Sequence, residues 1–278
     1  MNIRIVTDST CDLPDEVVEA LNITVVPLYI NVGDQGYLDG VEISRQEFYI
    51  NLPHYPTHPT TGTPGRDTFL QTYEKLAQEG ASQIISIHIS ESLSATVDVA
   101  RNAAQHFTDI PVTVLDSQQL SLGTGFQVEA AARLAMEGKG LTEILAALED
   151  LASRTFVAAA LDTLDYLRRS GRMNTVMASL GSLLQLKPIL TMFKGEPGSE
   201  RVRTTSKAFQ RLAAMLEERQ LIERFALLHT NAPEAAEKFR QRVADLIPVN
   251  HTYSMDITPV IGAHIGPGAV GFSIISKK

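Results

Sequence analysis

The sequence predicts an α/β protein of two domains, residues 1–155 and 156–278, and three observations carry that reading. Apolar β-branched runs alternate with helical stretches through the first half, the order of parallel strands joined by crossover helices. One of these runs, SQIISIHIS (82–90), is apolar almost throughout, as a strand covered on both faces must be. Beyond residue 155 the elements are more mixed, and a Gly/Pro turn separates two strand-like runs, so a mixed sheet is expected there.

The elements follow in order. Ile3–Val6 reads as a strand. In LPDEVVEAL (13–21) the helix is expected to be capped by Asp12 or Ser9, with Pro14 near its first turn. ITVVPLYINV (23–32) reads as one strand and GDQGYLDG (33–40) as a turn region. Ser44 and Glu47 have capping-box spacing before a short helix. A helix is predicted over Arg66–Gln78, then the buried strand, a helix in ATVDVARNAAQHF (95–107), a strand in PVTVLDS (111–117) and a helix ending at Gly138. One more helix, LTEILAALEDLA (141–152), closes the first half.

In the second half RTFVAAAL (154–161) is a strand, and a short helix stops at Gly171. The apolar TVMASLGSLLQL (175–186) reads as a helix ending before Pro188. PILTMF and RVRTTS bracket the turn KGEPGSE (194–200) as a hairpin. Then come a helix (207–221), a strand (224–230), a helix (233–246) and the strands HTYSMDI and AVGFSIIS.

With 44% hydrophobic residues the chain can bury a substantial core, and its net charge of −8 argues against nucleic acid as a partner. One cysteine, Cys11, permits no intrachain disulfide, which suits a reducing cytosol. The opening MNIRIVTDST lacks the apolar core of a signal peptide, and no run is long enough to span a membrane, so a cytoplasmic location is expected. There is no P-loop, no HExxH and no cysteine/histidine cluster for a metal. No dinucleotide fingerprint and no cofactor are expected.

Three loops carry the candidate chemistry. HPTTGTPG (58–65) holds Thr60, Thr61 and Thr63 on bendable backbone; it is either a plain turn or a grip for an anion that uses no charge of its own. ISESLSAT (89–96) lies after the buried strand and leads into a helix, where Ser94 is placed as N-cap or as ligand donor. Such loops lie where ligands gather in open α/β sheets. GAHIGPGAVG (262–271) is read as a glycine-rich loop around His264. Together these hydroxyls, amides and one imidazole suit a carboxylate or a single phosphate. An alternative is a serine hydrolase or acyltransferase using Ser94, His264 and an acid such as Asp8, although Ser94 does not sit in a Gly-x-Ser-x-Gly elbow.

Eight short motifs in order make the chain resemble the DegV family of bacterial fatty-acid-binding proteins: VTDSTCDLP, PTTGTPG, ISESLSAT, VLDSQQLSLGTG, LDYLRRSGRM, LQLKPIL, VRTTSKAF and HIGPGAVG. The resemblance implies a two-domain α/β fold with a long-chain fatty acid buried between domains. It implies a carrier and not an enzyme, one that presents the carboxyl to a separate fatty acid kinase subunit for acyl-phosphate formation in phospholipid synthesis. The family's carboxylate contacts fall on Thr61, Ser94 and His264. Gly62 and Thr63 stand where the family often has Ser-Gln, and Ala95 replaces a glycine. The resemblance also gives a use for two basic clusters, Arg168, Arg169 and Arg172, and Arg201, Arg203 and Lys207. They are expected to dock the kinase or an anionic membrane surface.

Overall fold

The structure is a computed structural model and describes residues 2–173, 186–219, 221–250 and 252–278. A four-stranded parallel sheet carries the first half, in the order β2 (Thr24–Val26), β1 (Ile3–Asp8), β6 (Gln83–His88), β7 (Val112–Asp116). Every residue of β6 is buried, which accounts for its unbroken apolar pattern. On one face Ile5 and Ile87 pack against Phe126 and Ala131 of α5 (Leu122–Met136). On the other, Val6 and Ile84 pack against α3 (Arg66–Gln78) and α4 (Thr96–His106) through Phe69, Tyr73 and Ala100.

Pro27 divides the run predicted as one strand. Proline fixes φ and donates no hydrogen bond to a ladder. The chain leaves the parallel sheet at Val26 and re-enters a separate antiparallel sheet as β3 (Tyr29–Val32). Its partners are β4 (Gln35–Leu38), which occupies half of the predicted turn region, and β5 (Thr60–Gly62). The threonine-rich stretch is thus partly an edge strand, with Ile30 paired to Thr61. The short helix α2 (Arg45–Asn51) is capped as expected: Ser44 Oγ accepts from Glu47 N at 3.2 Å.

All strands from Thr155 onward form one mixed sheet, in the order β10 (Glu196–Val202), β9 (Lys187–Phe193), β8 (Thr155–Ala160), β13 (Val270–Ser276), β11 (Ile222–His229), β12 (Thr252–Asp256). The predicted seven-residue turn contracts to Lys194–Gly195, whose φ values of 51° and 79° suit a two-residue hairpin. Pro197 is tolerated because β10 is an edge strand. Alternation sorts this sheet's side chains. Phe156, Ala158 and Phe272 face α8 (Thr205–Glu218) and α9 (Pro233–Arg242), whereas Val157, Met192 and Leu228 join the core of the first half. That core includes Ile144 and Leu148 of α6 (Leu141–Arg154). The apolar helix predicted at 175–186 lies, but for its last residue, outside the described residues.

Two further expectations change. The glycine-rich loop expected at 262–271 begins as a helix, α10 (Pro259–Ile265). It stops at Gly266, where φ is +74° and an added Cβ would lie 2.2 Å from the ring of Tyr166 on α7 (Asp165–Arg169). Neither Ser9 nor Asp12 caps α1 (Asp15–Ala20); Pro14 occupies the N-cap position.

Asp12 is used elsewhere. It is 1% exposed, and its carboxylate accepts from Ser121 Oγ at 2.6 Å and from Thr258 N at 2.8 Å. Arg45 Nη2 lies 3.3 Å away. Thr258 also donates to buried Asp39, and Arg45 donates to the Asp256 carbonyl. Burial pushes the Asp12 carboxyl up to about 6, against the pull of Arg45 and the two donors. This cluster pins the loop after β1 to the starts of α5 and α10. Asp12→Ala would leave Arg45 and two donors without their acceptor, and is expected to cost about 3–5 kcal/mol in denaturant unfolding. A loss below about 1 kcal/mol would show that the cluster contributes little.

Candidate functional site

A cavity of 240 Å³ brings together all six residues singled out for ligand binding: Thr61, Gly62, Thr63, Ser94, Ala95 and His264. It lies against the loop after β6, through Ile89 and Leu93. In the order β2-β1-β6-β7 the chain moves outward in opposite directions from β1 and β6, so this loop stands at the switch point of the sheet. The opposite wall is the inner face of the six-stranded sheet, with Val157, Ala159, Leu190, Met192 and Leu228. The wall is therefore aliphatic, and the polar groups are few.

Thr61, Thr63, Ser94 and His264, with Thr96, form two hydroxyl-centred sets. Thr61 lies in β5 and Thr63 one residue beyond its end, and both line the cavity. Thr61 Oγ1 lies 2.9 Å from Nε2 of His264 on α10. Thr63 Oγ1 lies 3.3 Å from Thr96 Oγ1, which lies 2.8 Å from Ser94 Oγ. Ser94 is one residue outside the N-cap of α4; that position is Ala95, and Ser94 Oγ accepts from Thr96 N at 3.3 Å. Ser94 is thus not the cap. Gly62 has room: an added Cβ would find its nearest neighbours at 3.6 Å.

His264 is held neutral near pH 7. Burial, then the charges of Arg172 and His58, push its imidazole down to about 4. Its Nδ1 is buried without a partner. An orphaned N–H costs more than an orphaned acceptor. The favoured tautomer therefore carries its proton on Nε2 and donates to Thr61, which leaves the Thr61 proton for the cavity.

The catalytic triad is not assembled. His264 pairs with Thr61, and no acid orients its Nδ1. Asp8 is fully buried and committed to His88 Nδ1 at 3.0 Å, Ile89 N at 3.1 Å and Thr10. Burial alone would raise the Asp8 carboxyl, but His88 and these donors offset it and hold it below its usual range. Gly266, Gly268 and Gly271 do have the spacing of a dinucleotide fingerprint. They lead from α10 into β13, however, the reverse of the strand-to-helix order that such a site needs. Among the described residues no group of three acidic, histidine or cysteine side chains could hold a metal ion.

Sequence reasoning missed three features. Thr96 was unassigned, although its alternation with Ser94 in ISESLSAT was visible. Ser121 lines the cavity from the start of α5. Arg172, expected on a docking surface, reaches the cavity wall. The other basic residues differ in setting. Arg168 is exposed and lies 3.8 Å from Asp165; Arg169, Arg201, Arg203 and Lys207 are exposed, and Lys207 Nζ donates to Gln210. Arg211, in the same basic stretch, is committed to Glu200 and Glu218. Strands β8 and β10 both run antiparallel to β9 between them, so the chain leaves both at the same end of the sheet. The segments carrying Arg168 and Arg203 start from that end.

Residues 2–277 match a family model described as "Uncharacterised protein, DegV family". The chain belongs to the DegV family. It is 38% identical over 282 residues to a DegV domain-containing protein of Streptomyces coelicolor, covering 99% of each chain. A fatty-acid-binding DegV family protein from Thermus thermophilus superposes with a TM-score of 0.89 at 38% identity, over 100% of both chains. DegV of Bacillus subtilis, a fatty acid binding protein, superposes with a TM-score of 0.90 at 31% identity, again over 100% of both. The α/β architecture expected from the resemblance is that of the DegV family structures.

The low proton affinity of His264 has a consequence for this DegV chain. The unfolded state takes up a proton near pH 6.5, before the folded state does at about 4. The stability tied to neutral His264 is present above pH 6.5 and is lost as pH falls toward 4. Asp12, raised in the fold, acts in the opposite sense over that range. His264→Gln keeps Asp12 and removes the imidazole. Between pH 7 and pH 4 the wild type is expected to lose about 2 kcal/mol more than the variant, after allowance for partial exposure. Parallel pH profiles would refute the assignment.

Proposed function

We propose that this protein is a cytoplasmic carrier of a long-chain fatty acid. The observation that carries this reading is the cavity itself: an aliphatic wall, two hydroxyl sets and, among the described residues, one cation, Arg172, in a single space. An acyl chain gains about 0.8 kcal/mol per buried methylene, less the cost of ordering it. Thr61 and Ser94 donate to the carboxylate. Neutral His264 supports Thr61, and Arg172 supplies the counter-charge. Gly62, Thr63 and Ala95 shape the surround. The DegV relatives described as binding fatty acids support the same ligand class.

We further propose that the loaded protein presents its carboxyl to a fatty acid kinase subunit, for acyl-phosphate formation. The surface for that contact is the end of the sheet near Arg168, Arg169, Arg201, Arg203 and Lys207. An anionic membrane surface is the other acidic partner such an end suits.

Native mass spectrometry of the purified protein is expected to find one fatty acid per chain. An empty protein that also fails to take up palmitate would overturn the carrier reading. Ser94→Ala and Thr61→Val are each expected to weaken palmitate binding roughly 10- to 100-fold, the loss of one hydrogen bond to a charged acceptor. The double variant Arg168→Glu/Arg203→Glu is expected to keep its lipid but lower kinase-dependent acyl-phosphate formation at least about tenfold. Unchanged turnover would remove that end from the docking surface.

A further inference from the structure

The hydroxyls around Ser94 obey a proton count. A carboxylate only accepts, so a Ser94 bound to one must spend its single proton on it. Ser94 Oγ remains an acceptor, and Thr96 Oγ1 lies 2.8 Å away. Thr96 must then be the donor in that contact, because the Ser94 proton is already committed. Thr96 has likewise spent its only hydroxyl proton, so in its 3.3 Å contact with Thr63 it accepts. Thr96 is 0% exposed and sits in the first turn of α4, so its hydroxyl has no bulk water to turn to. The Thr96 amide, 3.3 Å from Ser94 Oγ, adds a second donor to the same oxygen. The His264–Thr61 pair also sets a donor against a hydroxyl that lines the cavity, although there the donor lines it as well.

We propose that Thr96 is the positioning residue for Ser94. Its buried hydroxyl donates to Ser94 and directs the Ser94 proton into the cavity, while Thr63 acts on the ligand through Thr96. The order is Thr63 to Thr96 to Ser94 to ligand. The proposal rests on the carboxylate-binding reading above and assigns the selectivity of that site for a charged acceptor over a neutral head group. Both threonine hydroxyls become part of one relay, and Thr63 is no independent donor.

The test measures Kd for palmitate and for hexadecanol, a neutral head group on the same chain length, with the full-length protein. Thr96→Val is expected to weaken palmitate about 5- to 10-fold and to leave hexadecanol within about twofold. Thr96→Ser, which keeps the hydroxyl, is expected to restore palmitate binding. Thr63→Val is expected to weaken palmitate in the wild-type background and to add nothing in the Thr96→Val background. Three results would overturn the relay: palmitate binding by Thr96→Val at wild-type strength, equal losses in Thr96→Ser and Thr96→Val, or independent addition of the two threonine effects. Should Thr96→Val fail to bind hexadecanol as well, Thr96→Ala takes its place in the same comparisons. A Ser94→Ala variant that binds palmitate normally would instead overturn the carboxylate reading itself, so the two failures are told apart.

Discussion

A carboxylate taken wholly out of water must find its donors inside the protein, and for Asp12 those donors are far away in sequence. Ser121 is 109 positions along the chain and Thr258 is 246 positions along. Arg45, from the small antiparallel unit, supplies the charge. Satisfying one buried group therefore requires the loop after β1, the start of α5 and the start of α10 to meet. Few apolar contacts have this property, because hydrophobic packing tolerates sliding and hydrogen bonds to a charge do not. The same junction positions the start of α10, the helix that carries His264.

The cavity follows from that closure. One wall belongs to the loops beyond the parallel sheet, the other to the inner face of the six-stranded sheet. The polar groups are mostly neutral hydroxyls and one neutral imidazole. Such groups lose little when a site is empty and dry, unlike lysine or aspartate, and still bond strongly to a charged acceptor. Arg172 is the exception, and it is exposed to solvent at the cavity wall, where its charge stays hydrated. On the proposed carrier reading, an anionic head would be met without burying an unpaired cation.

Much of the fold was legible because its signals are local. The limits of α3 follow from its apolar period, and β6 reads as buried because both of its faces are apolar. What failed did so for identifiable reasons. Pro27 redirects the chain into a different sheet, and a run of apolar residues cannot say which sheet each part joins. Gly262 and His264 look like loop residues, yet α10 begins with proline at its first turn and ends at a glycine with positive φ. Ser94 resembles a cap, but the chain turns one residue later. Lys194 and Gly195 are enough for a hairpin, so the residues after them are free to pair. The candidate site was legible as three loops, since threonine, serine and histidine among glycines are unusual; Thr96 was passed over because the alternation that marks it is also ordinary at a helix start.

By itself the sequence determined the α/β class, the order of most elements, the family and six of the residues that line the cavity. Those depend on periodicity, on composition and on short motifs, all of which are properties of neighbours in the chain. Tertiary structure alone decided that Thr61 meets His264, 203 positions away, and that Thr63, Thr96 and Ser94 form one connected set. It also decided that Arg172 borders the cavity. Hydrogen bonds form over about 3 Å, and proximity on that scale between distant segments is created only when the sheets and helices pack.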